Sequence, residues 1–327
     1  MRQIVLRGPG EFVERQVPLP ELATATAIVR MRKVGVCGSD FHAFSGSHPI
    51  YTYPRVLGHE LAGEVIEADS NDRGIRAGDK CAIEPYISCG SCKACKAGQT
   101  NCCEQLRVIG VHVDGGMQTF LSVPISLLHK SEKLPLDKLA LVETLGIGAH
   151  AVNRSKLSAG QTALVIGAGP IGLAVAEFAR AAGAHVRVVE TDDWRKGFAK
   201  SLGMEAVAAS NGNLSDVVFD ATGSASSMSQ SLAYVAPTGC LVFVGLTKEP
   251  VLLDDSLFHR REITVYASRN SRGQFPRIIR MLEEGQIDTC TWITHRMELA
   301  QVPAEFEKLV SRSKLIKAMV DIEETRG

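Results

Sequence analysis

Four cysteines, Cys89, Cys92, Cys95 and Cys103, fall within fifteen residues in a C-x2-C-x2-C-x7-C cadence. Thiolates spaced this closely reach one tetrahedral ion, and soft four-sulfur sites usually hold zinc. Four protein ligands close such a site, so its expected role is to stabilise a lobe rather than to do chemistry. Cys102 stands beside Cys103 as an alternative fourth ligand, and Cys103 is the preferred reading. A second set of ligand types lies upstream. Cys37-Gly38-Ser39-Asp40-Phe41-His42 offers a thiolate, a hydroxyl, a carboxylate and an imidazole, and Gly58-His59-Glu60 sets an imidazole beside a carboxylate. Next to a separate closed site, this set reads as a metal centre with an open position, the arrangement of a catalytic zinc.

Gly167-Ala168-Gly169-Pro170-Ile171-Gly172 supplies a third kind of chemistry. It follows an apolar strand and opens a helix, and Glu190 comes eighteen residues after its last glycine. That context is the dinucleotide fingerprint: the glycines allow a tight turn and close approach to a pyrophosphate, which the helix N-terminus stabilises. Glu190 is expected to bind the adenosine ribose hydroxyls and to repel a 2′-phosphate, so NAD is expected over NADP. Arg195, Gly245 and Arg269 complete the expected cofactor-binding set.

The elements that must hold these residues change character along the chain. Short β-branched runs broken by glycine and proline, such as Ala27–Arg32, Glu64–Glu67 and Lys80–Ile83, predict a β-rich domain over the first 150 residues. Apolar strands at Thr162–Ile166, Val186–Glu190, Val217–Asp220, Leu241–Val244 and Ile263–Ala267 alternate with helical segments such as Leu173–Ala182. That alternation predicts a parallel sheet covered on both faces. The expected fold class is α/β, with a catalytic domain at 1–150 and 291–327 and a doubly wound nucleotide domain at 151–290. The tail is expected to hold a helix at Val302–Ser311 and a strand at Lys317–Ile322. Met204–Asp216 is too short and turn-rich for a full crossover helix.

Composition excludes other classes. Thirty-six basic residues balance thirty-six acidic ones among 327 residues, without a dense basic run, so neither nucleic acid nor an anionic membrane is an expected partner. The N-terminus lacks the apolar core of a signal peptide, and a soluble cytoplasmic protein is expected. Clustered C-x2-C spacing favours metal thiolates over disulfides, and Cys81, Cys240 and Cys290 read as small core residues.

In the order Cys37, GHE at 58–60, cysteine quartet and GAGPIG loop, the chain resembles the zinc-containing medium-chain dehydrogenase/reductase family over essentially its whole length. The resemblance implies a GroES-like catalytic domain, a Rossmann domain, one catalytic and one structural zinc, and NAD. It is closest to the polyol and sugar-acid branch, which includes sorbitol, threonine and L-galactonate or L-idonate 5-dehydrogenases. Leu141-Val142-Glu143-Thr144-Leu145-Gly146 offers Glu143 where liver-type alcohol dehydrogenases carry a cysteine. Tyr53–Glu60, Thr100–Glu104, Val108–His112 with Asp114-Gly115-Gly116, and Ala267–Asn270 look particularly like L-galactonate 5-dehydrogenases. By this resemblance the catalytic zinc is held by Cys37, His59 and either Glu60 or Glu143. Asp40 accepts a hydrogen bond from His59, and Ser39 and His42 pass the released proton outward. The substrate implied is a sugar acid, with Arg269 as the first candidate for its carboxylate and His112 and Arg107 behind it. Neutral polyols, diols and threonine are the alternatives. A homodimer or homotetramer is expected, joined along the edge supplied by Leu241–Ser268.

Two readings of other kinds compete. A non-catalytic zinc scaffold has no use for Ser39, His42, Glu190 and three spaced glycines. A zinc-free quinone or enone reductase of the same fold has no use for Cys37, His59 and the quartet.

Overall fold

The computed structural model describes residues 1–47, 50–207 and 212–323. Contacts divide the chain into two compact units, Met1–Glu143 with Phe275–Gly327, and Thr144–Gln274. The expected seams lie at 150/151 and 290/291, and contacts place them at 143/144 and 274/275. The second difference has a physical cause: the helix Phe275–Glu283 packs with the first unit. Its Phe275 ring lies 5.0 Å from His129, and its Glu283 accepts a hydrogen bond from Ser131 Oγ at 2.6 Å.

In the first unit the chain forms β1 (Arg2–Gly8), β2 (Glu11–Gln16), β3 (Thr26–Val36), β4 (Arg55–Val56), β5 (Glu60–Ala68), β6 (Lys80–Ile83), β7 (Tyr86–Ile87), β8 (Arg107–Val108), β9 (Phe120–Pro124) and β10 (Leu128–Lys130). The second unit supplies β11 (Thr162–Ile166), β12 (His185–Val189), β13 (Glu205–Val207), β14 (Ser215–Asp220), β15 (Val235–Phe243) and β16 (Thr264–Ala267). The chain then returns to the first unit with β17 (Ile293–Glu298) and β18 (Lys317–Asp321).

The main sheet of the first unit runs β10-β6-β5-β3-β18-β17, with β9 also on β3. Along β3 buried and half-buried residues alternate as far as Met31, the pattern of a sheet with one face on a core. Its last residues, Val34-Gly35-Val36, are all buried, and Cys37 follows directly. Phe12, Phe41 and Phe44 gather around Phe306 of the helix Val302–Val310, with ring centroids 5.0, 5.4 and 5.3 Å from it. This aromatic knot anchors the short helix Gly38–Phe44 that begins at Cys37.

The second unit is the expected doubly wound sheet, wholly parallel in the order β13-β12-β11-β14-β15-β16. Its middle strands are continuous apolar runs because helices cover both faces; Ala163 to Ile166 are all buried. One element differs from expectation. Glu205–Val207, inside the stretch read as turn-rich, is itself a strand paired with β12, so Ser215–Asp220 is the fourth strand of the sheet rather than the third. Three residues carry no readable period, and pairing with β12 makes them a strand. Residues 208–211 lie outside the described residues. Cys81 and Cys240 are buried as expected, whereas Cys290 is exposed, its amide donating to Asp288. Among the described residues no helix is long and apolar enough to cross a membrane.

His150, buried in the helix Val142–Ser155, carries a pH signature. Burial first, then Arg272 and Arg154, hold its imidazole down at about 4, against 6.5 for an unperturbed ring. The unfolded chain therefore takes up a proton that the folded chain refuses, so stability present above pH 6.5 is lost as pH falls toward 4. Urea midpoints measured across that window should decline for the natural protein. They should decline less for His150→Leu.

Candidate functional site

The four sulfurs of Cys89, Cys92, Cys95 and Cys103 lie within 4.8 Å of one another. The Cys89 and Cys95 sulfurs are 4.0 Å apart, against about 3.8 Å for a tetrahedral site with ordinary zinc–sulfur bonds. Amides point at them: Cys89 N donates to Cys103 Sγ at 3.2 Å, Cys92 N to Cys89 Sγ at 3.4 Å and Gln105 N to Cys103 Sγ at 3.3 Å. Backbone amides of Ser91 and Cys92 pull the Cys89 thiol down to about 6. Desolvation and the facing Cys92 and Cys103 sulfurs push Cys95 up to about 12. Four thiolates this close repel one another unless a cation sits among them, which is the charge state a structural zinc supplies. Cys103 is buried in the cluster and Cys102 is exposed outside it, in favour of Cys103 as fourth ligand.

The second set is built where β3 hands over to the helix Gly38–Phe44. Cys37 caps that helix, and its amide donates to Asp40 Oδ2 at 2.9 Å. Antiparallel pairing sets Gly35 of β3 opposite Glu60 of β5, with His59 just before it. Gly35 leaves the room that the Glu60 carboxylate occupies, since a Cβ at position 35 would collide with Glu60 Oε2. Ligand atoms of Cys37, His59 and Glu60 come within 4.8 Å of one another. Glu143 lies outside that trio, its Oε1 accepting a hydrogen bond from the Tyr86 hydroxyl. His59 Nδ1 faces Asp40 Oδ1 at 3.7 Å, longer than a hydrogen bond. His59 Nδ1, Asp40 Oδ1 and Glu60 Oε2 are all buried without hydrogen-bond partners.

Charge explains why this pocket suits a cation. Cys37, Asp40, Glu60 and Glu143 converge on one buried region, opposed by His59 and Lys317. Burial raises the carboxyls of Asp40 and Glu143 above the usual range. For His59, burial pulls the ring down, but Asp40 and then Cys37 and Glu143 outweigh it and leave it raised. An acid-rich, desolvated cluster with orphaned ligand atoms fits a divalent ion and fits little else.

Sequence reasoning passed over Lys317. On β18, fully buried, it donates from Nζ to Glu60 Oε1 at 2.5 Å and to the Val36 carbonyl at 3.4 Å. No local pattern marks it, because its partner is 257 residues away in the chain. Tyr86, whose partner Glu143 is 57 residues away, was passed over for the same reason, and Tyr51 was passed over as well. The buried Tyr51 hydroxyl lies against Ser39. His42 is exposed, with Nδ1 3.1 Å from Ser47 Oγ.

The glycine loop makes a tight turn from β11 into the following helix. Gly167 adopts φ +97°, Gly169 caps the helix Pro170–Ala181 with Pro170 in its first turn, and Ile171 follows within that helix. Gly172 sits so close over the Gly167 carbonyl that any side chain there would collide with it. Glu190 stands immediately after β12; its carboxylate accepts Ala168 N at 2.8 Å, Thr191 N at 2.7 Å and Asp192 N at 2.9 Å. The acidic residue thus ties the glycine loop to the strand end. Gly245, beyond β15, packs against Gly223 backbone and donates its amide to the Asp220 carbonyl at 3.0 Å. Arg195 is half-buried in the first turn of Asp193–Ser201, and Arg269 is exposed beyond β16. Of the other two carboxylate candidates, Arg107 is exposed on β8, and His112 Nδ1 accepts the Val108 amide at 3.0 Å.

Replacing Cys103 by alanine should therefore cost about one zinc per chain and markedly lower the melting temperature. Cys102→Ala should keep both, as metal analysis and thermal unfolding will show.

Residues 24–133 match the alcohol dehydrogenase GroES-like domain, and residues 170–284 match the zinc-binding dehydrogenase domain. The L-galactonate-5-dehydrogenase of Escherichia coli (strain K12) is 36% identical, the match covering 98% of each chain. The structure of the alcohol dehydrogenase rspB from Escherichia coli CFT073, complexed with NADH, superposes with TM-score 0.90 at 28% identity, over 98% of this chain and 99% of that one. A zinc-binding dehydrogenase from Sinorhizobium meliloti 1021, bound to NADP, superposes with TM-score 0.90 at 30% identity over 98% of both. The chain belongs to the zinc-binding alcohol dehydrogenase family, oxidoreductases built from a GroES-like and a Rossmann-like domain.

Proposed function

We propose that this chain oxidises a secondary alcohol of a sugar acid, as an NAD-dependent dehydrogenase of the L-galactonate or L-idonate 5-dehydrogenase kind. The observation that carries this reading is the 36% identity to an L-galactonate-5-dehydrogenase along 98% of the chain. Arg269 is the residue we assign to the substrate carboxylate. Neutral diols are the second reading, supported by the 2R,3R-butanediol dehydrogenase of Bacillus subtilis, which superposes with TM-score 0.90 at 26% identity. NAD is the cofactor assigned, because a carboxylate at Glu190 repels a 2′-phosphate.

Cys37, His59 and Glu60 hold the catalytic zinc in this reading, with Glu143 beside it. A zinc held by these residues would supply Lewis-acid polarisation of the substrate hydroxyl, and bound NAD would supply the hydride acceptor. Asp40 faces His59 Nδ1 at 3.7 Å and acts on the ring by its charge rather than through a hydrogen bond. Ser39 and His42 relay the released proton outward by way of the nicotinamide ribose, each accepting one proton as it gives up another. Among assemblies, a homodimer or homotetramer through the open edge of β16 is the one assigned, since an unpaired edge strand invites pairing.

NADH formation should be followed with L-galactonate, L-idonate, L-gulonate, sorbitol, threonine and 2,3-butanediol. Turnover of an aldonate that Cys37→Ala abolishes supports the reading, and turnover of neutral polyols alone removes the carboxylate pocket. His42→Ala should lower kcat about a hundredfold near neutral pH and less at alkaline pH, where hydroxide accepts the proton directly.

A further inference from the structure

The lobe closed by the cysteine quartet is not isolated from the catalytic centre. Tyr86 stands three residues before Cys89, on β7, opposite Val108 of β8. The two strands form a ribbon of two residues each, with Ile87 opposite Arg107. So short a ladder has little stability of its own. At one end the ribbon is joined by the Ile109 amide on the Pro85 carbonyl, 2.9 Å apart. At the other end the chain leaves β7 for Cys89 and returns to β8 from Cys103, and these two cysteines are linked by Cys89 N on Cys103 Sγ at 3.2 Å. A metal on the quartet thus clamps the open end of the ribbon. From the clamped ribbon the buried Tyr86 hydroxyl donates to Oε1 of the buried Glu143. Glu143 in turn lies within electrostatic reach of His59 and Glu60, two members of the trio that could hold the metal.

We propose that Tyr86 is a positioning residue that fixes Glu143 beside the catalytic zinc, and that the structural metal holds Tyr86 in place for that purpose. The proposal rests on the reading that Cys37, His59 and Glu60 bind a catalytic metal. Tyr86 occupies one carboxylate oxygen of Glu143 and leaves the other for the metal centre. Without the phenol, both oxygens are free, and Glu143 can rotate toward the metal and compete with Glu60. The closed zinc site then acts on the reaction through one hydrogen bond.

The test uses the holoenzyme with cobalt(II) exchanged into the Cys37 site, so that the visible d–d bands report the ligand set. Tyr86→Phe is expected to change those bands, to alter the rate at which a chelator removes the cobalt, and to lower kcat about ten- to a hundredfold, the usual effect of losing an outer-shell partner. KM for NAD stays unchanged. On a Glu143→Gln background the same substitution should have little further effect, because the oxygen it controls no longer carries charge. Cys92→Ser, with folding checked by circular dichroism and NAD binding, should reproduce the cobalt spectrum of Tyr86→Phe. Unchanged bands and kcat in Tyr86→Phe overturn the positioning role, as does a full effect on the Glu143→Gln background. A Cys92→Ser enzyme that folds and keeps the natural spectrum overturns the link to the structural metal. Absence of any d–d band from the unmutated protein would instead defeat the reading of the Cys37 site itself.

Discussion

The constraint on which the first unit turns is a surplus of acid in a place without water. Asp40 and Glu60 are fully buried and Glu143 nearly so, within reach of the Cys37 thiol and the His59 ring. In a low-dielectric interior such groups repel one another strongly, and the fold tolerates them only with compensating positive charge. Lys317 provides part of it through Glu60 Oε1. The orphaned atoms at His59, Asp40 and Glu60 mark what remains for a divalent ion. The sheet geometry serves this cluster: β3 ends and β18 begins beside it, and Gly35 is small because the Glu60 carboxylate stands over it.

The same logic runs through the cysteine lobe in a simpler form. There the ligands come from one short loop, so coordination replaces a hydrophobic core that the segment is too small to build. Glu190 shows a further use of a carboxylate: three backbone amides hold it, and it in turn holds the glycine loop against the end of β12.

Much of this was legible in the chain. The quartet and the glycine loop are local motifs: their spacing keeps the groups within reach of one another, since a few residues cannot separate by more than a few ångströms per residue. The parallel sheet was legible because strands buried on both faces must be continuously apolar, as Thr162–Ile166 is. The strand Glu205–Val207 and the place of the helix Phe275–Glu283 were not, because neighbouring elements decide them rather than their own pattern.

The sequence by itself determined which chemical groups this protein carries: a thiol cluster, an imidazole–carboxylate pair and a glycine turn at a helix N-terminus. Tertiary structure alone decided the partners. It paired Lys317 with Glu60 and Tyr86 with Glu143, brought Glu60 rather than Glu143 into the trio with Cys37 and His59, and put Cys103 inside the quartet with Cys102 outside. These contacts join residues far apart in sequence, or depend on the way a side chain turns out of its loop. The energy that selects them, the cost of an unpaired buried charge, exists only after the chain has closed around it.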